Sequence, residues 1–279
     1  MRSQPGLARR LFTSLMQTCR FWMRTEIHVY SFSVAANVLL SFFPFLIVTI
    51  SLSRIFFNQF TTTAAIDLAL RDYFPDALGQ FLKNNLPPRQ PPQLVSILLL
   101  LFTANGIFEP LEVALNHIWG IHKNRSFLRN QVVSLALIFG CGSLALFSLW
   151  LMAIEQSGQG SQVEKWVAAL LFKTASVPMM ALILFLVYRF LPNGKPPLSR
   201  IVPAAIGVGL LLEALKLLNS IFWPRFDLKI AREYGVFRYS VTLIFLGFLC
   251  SMLFLAGAEW AARGHRMDRP ELKELEPEH

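Results

Sequence analysis

Two short patterns in this 279-residue chain place acidic and basic groups at helical spacing inside strongly apolar sequence. The first is Glu109, Glu112 and Asn116, separated by three and then four positions, which puts all three on one face of a helix. The second is Glu213 and Lys216, three apart, with Asn219 and Ser220 one turn further on. Glu259 stands near the end of a third apolar run, four residues before Arg263. Groups of this kind do proton or ion chemistry when a low-dielectric wall surrounds them, and in a bilayer they face a bundle interior or a watery cavity. We therefore read Glu109, Glu112, Asn116, Glu213, Lys216 and Glu259 as lining a polar path between helices. A plainer account exists for most of them. Glu213 and Lys216 neutralise each other, Glu259 pairs with Arg263, and Glu112 reaches solvent near the inner headgroups if its helix bends at Pro110. Glu109 has no such account and is the strongest lining candidate.

The rest of the sequence carries no catalytic or metal-binding signature. It has no Walker A loop, no G-x-S-x-G, no HExxH and no paired CxxC. His117 has no second His or Cys at ligand spacing. Cys19, Cys141 and Cys250 are odd in number and read as small hydrophobes, not as a disulfide framework. The expectation is a protein with no catalytic residues, no metal and no cofactor. A membrane nuclease would need a carboxylate or His cluster exposed to a soluble substrate, and no polar segment is large enough to host one.

The elements that position these groups follow from composition. Hydrophobic residues make up 54%, charged residues 15%, and the mean hydropathy is +0.48. A soluble domain carries about 25% charge, so an all-α polytopic membrane protein is expected. Six segments approach the roughly 20 apolar residues of a transmembrane helix: 31–57, 94–119, 132–154, 166–191, 201–223 and 236–262. The second is the shortest, since its unbroken apolar part ends at Phe108, about 22 Å from Leu94. Glu213 falls about 18 Å along the fifth from Ile201. Pro44, Pro110 and Pro178 are expected to interrupt helices and free carbonyls for neighbours or water.

Residues 1–30 are basic and amphipathic, which suits a helix lying on an anionic leaflet. The loop 58–93 is expected at the outer face, with 64–86 forming two short interfacial helices around Pro75. Residues 263–279 form a charged tail. With the N-terminus inside, the inner segments hold fifteen Lys and Arg and the outer loops eight, which places both termini in the cytoplasm. The net charge of +9 then reflects loops facing anionic lipid and carries no nucleic-acid signal. Arg125, Arg129 and Arg189, in the basic inner loops, are candidate contacts for lipid headgroups, although such loops also serve simply to set topology.

The chain resembles the YihY/BrkB-like family of bacterial inner-membrane proteins, once labelled ribonuclease BN, from about residue 25 to 263. The motifs that carry the resemblance are Ser41-Phe42-Phe43-Pro44-Phe45, Ala114-Leu115-Asn116-His117-Ile118-Trp119, Tyr188-Arg189-Phe190-Leu191-Pro192-Asn193, Tyr234-Gly235 and Gly257-Ala258-Glu259. It implies six transmembrane helices, an inner-membrane location and a link to envelope integrity, with lipid or small-solute transport as the suggested activity. One departure is Ala261, where the family often has Asn. The expected partners are membrane lipids. The alternative function is a structural protein that docks an envelope partner through its outer loop.

Overall fold

The computed structural model describes residues 7–23, 25–56, 94–122, most of 125–144, and 178–268. The described residues are helical, with no strand among them. The helices are α1 (Leu7–Trp22), α2 (Thr25–Phe56), α3 (Leu94–Ile118), α4 (within Val132–Leu144), α5 (Pro178–Phe190), α6 (Leu198–Tyr234) and α7 (Arg238–Asp268). A single 3-10 turn, Gly235–Phe237, joins the last two. The outer loop 58–93, the later part of the third expected segment and the early part of the fourth lie outside the described residues.

Each helix buries a stripe at three- and four-residue spacing, as a helix with one packed face must. In α2 the stripe is Ile27, Ser31, Val34 and Ser41; in α3 it is Leu111, Ala114, Leu115 and Ile118. In α5 it is Leu184, Val187, Tyr188 and, just past the helix end, Leu191. In α6 it is Ile201, Ala204, Ala205 and Val208, and in α7 Ser251, Leu255, Ala258 and Ala262. The stripes of α3, α5, α6 and α7 meet in one apolar core. Helix α2 packs against both α3 and α7, and α6 packs along α7.

Small residues set the closeness of these contacts, as they do where lipid removes the hydrophobic drive between helices. A Cβ added at Gly257 of α7 would overlap Val208 Cγ2 of α6 and stand 2.8 Å from Tyr188 Oη. A Cβ at Gly247 would sit 3.3 Å from the Cα of Ala35 in α2. A Cβ at Gly106 of α3 would overlap the amide oxygen of Asn37.

Among the described residues two stretches are long and apolar enough to cross a membrane, Leu198–Asn219 and Arg238–His265. The helices run further than the apolar segments suggested. α6 continues from the expected end near residue 223 to Tyr234, through Pro224, so the expected loop between the fifth and sixth segments is helix. Residues Leu215, Leu218, Phe222, Phe226 and Ile230 explain this: they form a helical stripe that faces Thr242, Phe245, Leu246 and Leu249 of α7. Packing outweighs the basic residues that made the stretch look like a loop. Similarly, α2 runs through Pro44 and α3 through Pro110 without ending there.

Candidate functional site

The C-terminus of α3 is closed by Gly120, whose φ of 65° allows the reversal. Its N–H donates to the His117 carbonyl (3.1 Å), and the Ile121 N–H donates to the Asn116 carbonyl (2.8 Å). This closure turns the chain toward the end of α5. There, the Asn193 backbone N–H donates to Asn116 Oδ1 over 2.8 Å. Ile121 also approaches Gly194, where a Cβ would stand 2.7 Å from Ile121 Cδ1.

Arg125 completes the joint. Its Nη1 donates to the Leu191 carbonyl (3.1 Å), its Nη2 to the carbonyls of Phe190 (3.0 Å) and Pro192 (2.7 Å), and its Nε to Asn193 Oδ1 (3.2 Å). These carbonyls are left over at a helix C-terminus, where the macrodipole favours a cation. Burial pulls the Arg125 guanidinium below its ordinary pKa, the Glu112 carboxylate opposes that shift, and Arg129 adds to it. A guanidinium is basic enough to stay charged regardless. Glu112 is 5% exposed and Asn116 3%, and the Asn116 side chain hydrogen-bonds the Glu112 carboxylate. Glu112, Asn116, Arg125 and Asn193 thus form one polar network.

The other expected path residues lie elsewhere. Glu109 is exposed. Glu213 and Lys216 pair at 3.8 Å with side chains about one-fifth exposed. Glu259 pairs with Arg263 at 3.3 Å. Arg263 also donates to Gln17 Oε1 (2.8 Å) and Thr18 Oγ1 (3.0 Å) of α1. Trp22 Nε1 donates to the Met252 carbonyl (3.3 Å), so α1 is held along the last helix. The six residues therefore occupy separate networks, with Glu112 and Asn116 together, Glu213 with Lys216, and Glu259 with Arg263. Of the expected headgroup contacts, Arg125 points into the protein, Arg189 donates to the Pro196 carbonyl (3.0 Å), and Arg129 is exposed.

Tyr188 and Asn193 stand in a motif that carries the family resemblance, but spacing alone assigned neither of them a contact. Tyr188 Oη donates to the Phe254 carbonyl (2.6 Å), and its ring stacks on Phe254 at 4.5 Å between centroids. His117 lies 3.5 Å from Glu26. Among the described residues no three His, Cys, Asp or Glu side chains are grouped to hold a metal, and the three cysteines are free.

These contacts gather α1, the turn after α3, the 191–197 connection and the end of α7 at one end of the bundle. Arg200 lies beside Gly264 there, and the Trp119 and His265 rings are 6.3 Å apart. The expected inner segments therefore share one face, opposite the tip of the α6–α7 hairpin.

Curated relatives carry the same kind of chain. A UPF0761 membrane protein of Aromatoleum aromaticum is 24% identical over 273 residues, covering 92% of this chain and 64% of that one. A UPF0761 membrane protein of Chlorobium chlorochromatii is 24% identical over 254 residues, covering 85% and 56%. One from Neisseria meningitidis serogroup B is 25% identical over 135 residues, covering 48% and 33%. The chain thus spans less than two thirds of the length of the relatives it matches. No solved structure matches it. The sequence profile of the virulence factor BrkB family matches residues 18–278, and the chain is a membrane protein belonging to that family.

Proposed function

We propose that this protein crosses the bacterial inner membrane six times, with both termini in the cytoplasm, and moves a lipid or small solute for envelope maintenance without enzymatic chemistry. The observation that carries the reading is the Glu213–Lys216 pair within the apolar stretch Leu198–Asn219. Ionisable groups at such a depth are costly, and where they occur they usually serve a substrate or ion pathway. Glu213 lies about 22 Å along α6 from Leu198, toward the hairpin end of the span. The Glu112 network stands at the opposite end. A path between them would use two polar stations and not a continuous wire. Membrane lipids are the partners of this reading, and nucleic acid has no place in it.

The test is complementation of a deletion strain by Glu112→Gln and Glu213→Gln, with membrane insertion checked by fractionation. Loss of activity with insertion intact supports the polar stations, and full complementation by both variants rejects them. Deletion of residues 64–86 tests the docking alternative, which requires that this loss alone abolish function while the carboxylate variants stay active.

A further inference from the structure

At about 1.5 Å per residue, the apolar stretch Leu198–Asn219 already fills the roughly 30 Å of hydrocarbon in a bilayer. Helix α6 continues for fifteen residues beyond Asn219 and returns through Gly235–Phe237 into α7. The α6 arm of the hairpin therefore projects past the hydrocarbon at the end of the bundle away from α1, and the α7 stretch Arg238–His265, 28 residues long, exceeds the same thickness. Its inner side holds a cavity of about 140 Å³ lined by Leu215, Phe222, Phe226 and Ile230 of α6 and by Phe245 and Leu249 of α7, among others. The lining is apolar apart from Asn219 and Thr242, and the Thr242 hydroxyl is turned back to the Arg238 carbonyl (2.8 Å).

Two properties decide what fits. First, the groove starts at Leu215 and Leu249, inside the apolar spans, and ends at Ile230, beyond Asn219, beside Thr242 near the start of the 28-residue apolar stretch Arg238–His265. A hydrocarbon chain can enter it from the bilayer without crossing water. Second, its edge is cationic. Arg225 and Lys229, four apart and both exposed, each precede a lining residue by one position, so they run along one margin of the apolar stripe. Arg232 and Arg238 add to them against Asp227 and Glu233, leaving the stretch 220–238 with a net charge of +2.

We propose that the α6–α7 hairpin binds a phospholipid with an anionic headgroup from the adjoining leaflet, one acyl chain in the groove and the phosphate at Arg225 and Lys229. The proposal deepens the lipid reading given above and rests on it for its consequence, the handing of lipid out of the bilayer plane. The hairpin then serves as the platform on which a lipid leaves the bilayer.

The full chain is reconstituted in phosphatidylcholine nanodiscs with a trace of phosphatidylglycerol or phosphatidylcholine carrying a diazirine near the acyl terminus, and adducts are mapped by mass spectrometry. The phosphatidylglycerol probe is expected to label Phe222, Phe226 and Phe245 about thirty-fold more than the phosphatidylcholine probe, given two cations at the headgroup. Arg225→Gln with Lys229→Gln should abolish the preference, and 0.5 M salt should reduce it in the unaltered chain. Phe226→Trp, which narrows the groove, should reduce adducts at Phe245 with both probes. Equal labelling of the groove and of lipid-facing Val202, Ile206 and Leu210 overturns the proposal. So does a preference that survives both salt and substitution, or burial of the groove in a dimer detected by native mass spectrometry. Groove labelling with full complementation by Glu213→Gln keeps the binding site and rejects the polar stations. Absent groove labelling with loss of activity in Glu213→Gln rejects the groove alone.

Discussion

The backbone N–H of Asn193 donates to the side-chain oxygen of Asn116 over 2.8 Å, joining residues 77 positions apart. Asn116 stands at the last turn of α3, and Asn193 just after the end of α5. One amide thereby fixes where two helices end relative to each other. Both asparagines sit in the motifs on which the resemblance to the family rests, and this bond ties the two motifs together in space. Asn116→Leu keeps the volume but removes the acceptor, leaving a backbone donor unpaired. The expected loss is ~1–3 kcal/mol of stability, measured by unfolding of purified protein in mixed micelles. An unchanged midpoint would mean that the bond contributes nothing.

Arg125 gives a sharper test, because shape matters as well as charge. Its fork spans three carbonyls and an amide oxygen over four consecutive residues. A lysine ammonium is a point charge and cannot reproduce that fork. Arg125→Lys should therefore cost nearly as much as Arg125→Ala, roughly 2–4 kcal/mol from several charge-assisted bonds. It should also open the 191–197 connection to a protease of broad specificity such as proteinase K. If Arg125→Lys behaves like the unaltered chain and only Arg125→Ala is damaged, the contact is one of charge alone.

These two residues mark where sequence reading stopped. The all-helical class followed from composition, and the pairings Glu213–Lys216 and Glu259–Arg263 followed from helical spacing, because both partners lie on one element. Arg125 read as a headgroup contact since its partners lie 65 to 68 residues away and are mostly backbone carbonyls, which leave no trace in spacing. The length of α6 was hidden for a related reason. Arg225, Lys229 and Arg232 interrupt the apolar run, while the stripe that keeps the stretch helical is stabilised by α7, its neighbour in space.

Gly257 allows the close approach of α7 to α6 and α5. Gly257→Ala places a methyl group against Val208 and the Tyr188 hydroxyl, with an expected cost of about 1–3 kcal/mol from overpacking. The contact with Val208 is the tighter of the two. Val208→Ala should therefore recover part of the loss when the two are combined, giving a favourable coupling in a double-mutant cycle. Strict additivity would show that the glycine acts through helix propensity and not through contact.

Arg263 joins the last helix to α1, and its removal should release both. Its side chain and that of Glu259 are 13% and 14% exposed. Arg263→Ala removes the guanidinium from beside the Glu259 carboxylate and should cost about 1–3 kcal/mol, the scale of losing bonds to a charged group. Arg263→Ala with Glu259→Gln should cost less than Arg263→Ala alone, because the carboxylate charge has gone with its cation. In both variants α1 loses its bonds through Gln17 and Thr18, so proteolysis within residues 7–22 should accelerate equally. Equal stability of the single and double variants would mean that the Glu259 charge carries no cost once Arg263 is gone.

Glu213 and Lys216 separate a structural pair from a working one. Glu213→Gln removes the carboxylate that pairs with Lys216 in an apolar helix, and Lys216→Met removes the ammonium that pairs with Glu213. Each single variant should lower stability by roughly 1–3 kcal/mol. The double variant removes both charges, and its stability should return close to that of the unaltered chain. Complementation then divides the two roles. A pair that only neutralises itself predicts full activity in the double variant, since the helix is whole and no charge is stranded. A pair that forms a station on the transport path predicts a stable, inserted and inactive protein. The decisive result is activity set against stability in the same variant.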